Sequence, residues 1–255
     1  MSAELQIIEN HGGIVELSLN LNDQNSFGLA AFTELDRTLK LLASHDKIRV
    51  LILHSMKPYV FSQGLNLEEM SSASGELVDE FIRLFYENLK SIYLFPHPVI
   101  CVMPGHAMGY GAMIAMTSDY RLMADRARIG LPEVKLGIRV PIFIARILQD
   151  IVGVVEADHH ILEGGAYKAA EAKEIGLIDQ IVSPEEMLSA ARKVAQRFLK
   201  NSRSAMTASK RAIRHRMDHD AIIEVDARET IRTLNTPDAR EGISAAVERR
   251  RPVFS

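Results

Sequence analysis

The stretch Val99-Ile-Cys-Val-Met-Pro-Gly-His-Ala-Met-Gly-Tyr-Gly-Ala-Met113 passes from an apolar segment through three glycines into the helix-like run Ile114–Ser118. Val99–Val102 reads as a strand, entered through Pro96 and Pro98, which bar a helix and extend the chain. Gly105, Gly109 and Gly111 then mark a strand-to-helix junction, where the backbone can take positive φ and a ligand can approach closely. The N–H groups that open such a helix lack intrahelical partners and carry the positive end of its dipole.

Working outward, Ile14–Leu19 and Ile48–Leu53 read as further strands, with Phe32, Leu35, Leu39 and Leu42 at helical spacing between them. Leu77, Phe81, Phe85 and Leu89 mark a second helix after the Ser-rich break Ser71-Ser-Ala-Ser-Gly75. Strand, helix, strand, helix, strand is a crossover pattern, so an α/β fold with a largely parallel sheet is expected. From about Pro184 the texture changes to consecutive helices, over Ser204–Met217, Ala221–Thr233 and Ala239–Arg250. Apolar positions there, such as Ile222, Ile223 and Ile231, have too little chain around them for a core of their own. The tail is expected to pack on the main domain or on another subunit.

Composition narrows the function. The chain has 255 residues, 47% hydrophobic and 25% charged, with a net charge of -3. That balance gives no global attraction to nucleic acid or to an anionic membrane. The longest apolar runs are far too short to span a bilayer, and Met-Ser-Ala-Glu-Leu-Gln lacks a signal pattern, so a cytoplasmic protein is expected. Cys101 is the single cysteine and sits in an apolar run, which favours a buried structural thiol. The basic positions Lys210, Arg211, Arg214, Arg216 and Arg249–Arg251 come without an aromatic ladder, so helix faces that are solvated or pair across subunits explain them better than RNA binding. His159 and His160 are adjacent with no Cys/His set beside them, which favours a solvated pair over a metal site.

The spacing GxxxGxG is neither a dinucleotide fingerprint nor a P-loop. A second glycine junction lies in Val60-Phe-Ser-Gln-Gly-Leu-Asn-Leu67, where Gly64 follows a strand and precedes a helix-like segment. If the two junctions face one point, the N–H groups of Leu65 and Tyr110 form an oxyanion hole; if not, both are tight turns. Arg128-Ile-Gly-Leu-Pro-Glu-Val-Lys-Leu-Gly-Ile138 places Glu133 in mostly apolar sequence. Desolvation there would raise its pKa towards neutrality and suit it to proton transfer, although an isolated Glu is more often a surface residue.

Taken together, these segments resemble the crotonase (enoyl-CoA hydratase/isomerase) superfamily over nearly the whole chain. Phe61-Ser-Gln-Gly-Leu-Asn-Leu67 is similar to F-S-x-G-x-D-L, and Gly105–Met113 with Thr117-Ser-Asp-Tyr-Arg-Leu-Met-Ala124 is similar to G-x-A-x-G-G-G…x-D-x-x-x-A. Ile129-Gly-Leu-Pro-Glu-Val-Lys-Leu-Gly137, Ala169-Ala-Glu-Ala-Lys-Glu-Ile-Gly-Leu177 and Glu241-Gly-Ile-Ser-Ala-Ala-Val-Glu-Arg-Arg-Arg-Pro252 resemble three further signatures in the same order. The resemblance implies a spiral of ββα units over residues 1–195 holding an acyl-CoA site. It also implies a helical trimerisation region over residues 196–255 and a homotrimer or dimer of trimers.

It further implies that Leu65 and Tyr110 supply the oxyanion amides, Glu133 the catalytic carboxylate, and Gly64, Gly109, Gly111 and Met113 the substrate surroundings. No cofactor or metal is implied, since coenzyme A belongs to the acyl-CoA substrate. Two departures bear on the reaction. Hydratases of the family place a second glutamate where this chain has Met113, and a thioether neither takes nor gives a proton. Leu136-Gly-Ile-Arg-Val-Pro-Ile-Phe143 is also closer to the L-G-I-x-x-P of Δ3,Δ2-enoyl-CoA isomerases, several of which work with one glutamate. A single-base isomerase is therefore expected. An atypical hydratase, a decarboxylase, a C–C hydrolase or a non-catalytic binding protein are the alternatives. Leu21-Asn-Asp-Gln-Asn25 lacks the family's usual Arg-Pro, so no adenine contact is assigned.

Overall fold

A computed structural model describes residues 4–10 and 12–254. Met1–Ala3, on which part of the targeting expectation rests, lie outside the described residues, as do His11 and Ser255. No helix among the described residues is long and apolar enough to cross a membrane.

The strands are β1 (Glu4–Asn10), β2 (Ile14–Asn20), β3 (Val50–Ser55), β4 (Val60–Ser62), β5 (Val99–Met103), β6 (His106–Met108), β7 (Tyr120–Ala124), β8 (Arg128–Gly130), β9 (Ala166–Lys168) and β10 (Gln180–Val182). The helices are α1 (Leu29–Ala43), α2 (Leu67–Ser72), α3 (Glu76–Tyr93), α4 (Tyr110–Thr117), α5 (Ile142–Val152), α6 (Val154–Glu163), α7 (Ala169–Glu174), α8 (Met187–Leu199), α9 (Arg203–Arg214), α10 (His219–Leu234) and α11 (Pro237–Val247).

The large sheet has the order β1-β2-β3-β5-β7-β10 and is parallel except for β1, which pairs antiparallel with β2. Its central members β3 and β5 are buried along their whole length, as strands covered on both faces must be, which explains their unbroken apolar runs. The small sheet has the order β4-β6-β8-β9. Each central strand of the large sheet leads into one strand of the small sheet and then a helix: β3-β4-α2, β5-β6-α4 and β7-β8-α5. That repetition is the expected ββα spiral. The three-residue strands β4, β6 and β8 are too short to stand out by periodicity. Leu77 falls on the expected helix but is 56% exposed, because it sits in the first turn of α3, ahead of the turns that reach the core.

The tail folds back on its own chain. The division at residue 195 falls inside α8, whose Arg192 pairs with the buried Glu16 of β2 at 2.6 Å. Ile222, Ile223 and Ile231 pack half-buried against the core of this chain. Helix α10 lies on α3 and α5, and α11 lies on α2 and on the turn Glu133–Leu136. The approach of α11 is close: a Cβ at Gly242 would stand 2.4 Å from the Leu136 carbonyl oxygen. Several basic tail residues are consumed by intrachain pairs, Lys210 and Arg214 with Asp119 and Arg216 with Asp150.

One buried group fastens α10. The Asp226 carboxylate is fully buried, accepts the N–H groups of Ile142 and Phe143 at 2.9 Å each, and pairs with Arg139. It thus caps α5 from another helix, adding an anion at the positive end of the dipole. Asp226→Ala is expected to destabilise the fold by roughly 3 kcal/mol, as breaking a buried pair does. Urea unfolding checks this, and α10 should become more open to proteolysis in the variant.

Candidate active site

The first junction is held from below by polar groups. Asn25 is buried, with φ +45°, and its amide donates to Ser55 Oγ at 2.8 Å and to the Phe61 carbonyl at 3.2 Å. It fixes the loop after β2 against β3 and β4. Ser62 Oγ donates to the Asn25 carbonyl at 2.7 Å and accepts the Gly64 N–H at 3.0 Å. Phe27 then brackets the strand: its N–H donates to the Gly64 carbonyl at 2.8 Å, and its carbonyl accepts the Asn66 N–H at 2.9 Å. In a parallel bridge of this kind the intervening residue turns its own N–H the other way. Leu65 N–H therefore points away from Phe27.

The second junction meets the first. Gly64 has φ +98°, and a Cβ on it would stand 3.0 Å from the Met108 carbonyl oxygen and 3.3 Å from the Tyr110 nitrogen. Tyr110 opens α4 after Gly109, which has φ +52°, so its N–H is one of the helix's unpaired donors. Leu65 N–H and Tyr110 N–H thus belong to backbones in contact. The extra bulk of Tyr110 goes into the core, where its ring stands 4.8–4.9 Å from those of Phe27, Phe32 and Phe85.

The carboxylate joins them. Gly109 N–H donates to the Gly130 carbonyl at 2.9 Å, which ties the second junction to the end of β8. Three residues on, Glu133 opens a 3-10 turn that Gly137 closes in the left-handed region, φ +66°. A Cβ at Gly109 would lie 3.2 Å from Glu133 Oε1, so the carboxyl group stands directly over the turn. Glu133 is buried, and its Oε2 has no hydrogen-bond partner among the described residues. Burial pushes its pKa up to about 7, partly offset by a backbone hydrogen bond. Near neutral pH such a group can both accept and return a proton.

Gly64, Leu65, Gly109, Tyr110, Met113 and Glu133 all line one cavity of about 80 Å³. Gly111 does not line it. A Cβ there would meet the Ser62 carbonyl oxygen at 2.7 Å, so its place is the tight packing of α4 on β4. Met113 is buried and lines the cavity. The cavity also takes Arg139, Thr230 and Leu234, which sequence reasoning did not single out. Thr230 and Leu234 come from α10, and nothing local in the sequence signals a helix that folds back over the site.

Other expectations fall outside the cavity. Cys101 is a buried thiol whose pKa burial raises. The histidine pair is not uniformly solvated: His159 is exposed, but His160 is buried and stacked on Tyr167 at 4.3 Å. Among the described residues no group of three or more His, Cys, Asp or Glu side chains is placed to hold a metal ion.

The raised pKa of Glu133 carries a stability cost. The folded state holds a proton that the unfolded chain releases at lower pH, so the cost is absent below about pH 4.5, grows as pH rises and is complete above about 7. Glu133→Gln should therefore gain stability over the native chain as pH rises, by at most about 3 kcal/mol at pH 8. The difference should vanish near pH 4.5. Denaturation at both pH values checks it.

The family described as enoyl-CoA hydratase/isomerase matches residues 9–255. A short-chain-enoyl-CoA hydratase of Clostridium acetobutylicum is 29% identical over 251 residues, covering 96% of this chain and 95% of the relative. The crystal structure of human mitochondrial Δ3-Δ2-enoyl-CoA isomerase superposes with a TM-score of 0.91 at 25% identity, covering 96% of this chain and 97% of that one. An enoyl-CoA hydratase structure from Mycobacterium avium subsp. paratuberculosis gives 0.86 at 25% identity over the full length of both chains. The chain belongs to the enoyl-CoA hydratase/isomerase family, within the crotonase superfamily.

Proposed function

We propose that this chain is a Δ3,Δ2-enoyl-CoA isomerase in which Glu133 alone moves the proton. The observation that carries the proposal is the pairing of one buried carboxylate with Met113 in the same cavity. Moving a double bond from the 3,4 to the 2,3 position removes a proton at C2 and delivers one at C4. A carboxylate between the two carbons does both, because the proton is returned and not traded with water. The thioester oxygen gains negative charge as C2 loses its proton, and the N–H groups of Leu65 and Tyr110 are the donors for it. Each such donor is worth about 3–4 kcal/mol in comparable sites. No cofactor is needed beyond the coenzyme A of the substrate.

Hydration is the second reading, favoured by the hydratase names of relatives such as the Clostridium acetobutylicum protein. It requires a water to be held and activated on the Met113 side, where the wall offers a thioether. Turnover of trans-3-hexenoyl-CoA well above hydration of trans-2-hexenoyl-CoA is the expected outcome, and the reverse order would sink the isomerase proposal. The rate should rise with pH to a plateau above about pH 7, since the base must be ionised. Glu133→Gln should abolish turnover with the fold intact; activity within tenfold of the native chain would remove Glu133 from the base's role.

Met113→Glu is expected to raise hydration of a short trans-2-enoyl-CoA above the native background. Glu and Met are similar in length, and a partly desolvated second acid could share a water with Glu133. Steady-state hydration assays check it. Unchanged hydration with normal substrate binding would show that the missing acid is not what separates this chain from a hydratase.

A further inference from the structure

Glu133 and Arg139 are the two charged residues among those lining the cavity; the rest of the wall is mainly apolar side chains and glycine backbone. A cation in an apolar wall is costly unless something uses it. Asp226 uses only part of it. The Asp226 carboxylate engages Nη2 of Arg139, but it also accepts the N–H groups of Ile142 and Phe143 that open α5. The helix end contributes roughly half a positive charge there, so Arg139, Asp226 and the α5 terminus together remain net positive.

Arg139 also has donors to spare. A guanidinium carries five N–H groups in a planar fork. Nε is buried without a partner among the described residues, and the side chain keeps 28% exposure. Thr230, one turn along α10 from Asp226, lines the same cavity and shares a hydrogen bond with Tyr86 Oη at 2.7 Å. The cavity therefore combines a base, an apolar wall and a cationic, hydrogen-bonding corner held in place by a buried acid.

We propose that Arg139 is a specificity-determining residue that recognises a carboxylate on the acyl chain of the substrate, so that the preferred CoA esters are half-esters of dicarboxylic acids. The proposal rests on the reading of this cavity as the acyl-CoA site. A guanidinium fork matches a carboxylate through two parallel hydrogen bonds, which a lysine does only as a point charge. Coenzyme A carries anionic oxygens of its own in its phosphates, and the test must separate these two sources.

Matched saturated esters do so, because each pair shares the same CoA: pentanoyl-CoA with glutaryl-CoA, and hexanoyl-CoA with adipoyl-CoA. Binding is measured by calorimetry on the intact protein, independently of which reaction it catalyses. The native chain should bind at least one dicarboxylic ester as tightly as its neutral partner. Arg139→Met should shift that ratio of affinities by about tenfold or more towards the neutral ester, with Arg139→Lys in between.

A native chain that prefers the neutral ester of both pairs by tenfold overturns the proposal, whether or not the methionine variant folds. A ratio unmoved in Arg139→Met, with both esters weakened in parallel, assigns Arg139 to coenzyme A or to the fold and overturns it as well. Binding of neither ester in either pair would instead bring down the acyl-CoA reading itself.

Discussion

Backbone meets backbone between Gly64 and the turn Met108–Tyr110, and the rest of the site depends on that contact. A Cβ at Gly64 would press on the Met108 carbonyl oxygen at 3.0 Å, and its φ of +98° is one that glycine alone adopts cheaply. The contact brings the amides of Leu65 and Tyr110, from separate ββα units, to the wall of one cavity. It is held by buried polar groups that look incidental in the sequence. Ser62 and Asn25 satisfy each other and the Gly64 N–H, and Phe27 supplies the bridge that turns Leu65 outward.

Burial is the second constraint, and it works in two directions. Helix α11 packs on the turn that carries Glu133, α10 supplies Thr230 and Leu234 to the same cavity, and burial brings the carboxyl group near neutrality. A buried oxygen without a partner destabilises the fold, so the site is maintained at the expense of stability gained elsewhere. Asp226 is part of that compensation: one carboxylate caps α5, anchors α10 and holds Arg139 at the cavity.

Membership of the family leaves the reaction open, because one scaffold hosts several acyl-CoA reactions. The relatives and neighbours carry both hydratase and isomerase names. Chemistry at this site turns on what faces the substrate. An amide pair and a neutral-range carboxylate suit any reaction through a thioester enolate, and Met113 and Arg139 line the same cavity.

Much of this was legible in the residues alone. Long, strongly patterned elements such as β3, β5, α1 and α3 declare themselves by period, and Gly64, Gly109 and the apolar setting of Glu133 mark the two junctions and a candidate carboxylate. Local sequence reports local backbone preference and local polarity, which is why these features could be read directly. It could not report which distant segments touch. The resemblance places Gly111 in the substrate surroundings, whereas its contact with Ser62 comes from the packing of α4 on β4, and His160, which reads as solvated, is stacked on Tyr167. Thr230, Asp226 and the partnership of Asp226 with Arg139 join α10 to residues some eighty or more positions earlier. Only the folded chain brings such groups together, because a cavity wall is set by packing between elements and not by the order of residues along any one of them.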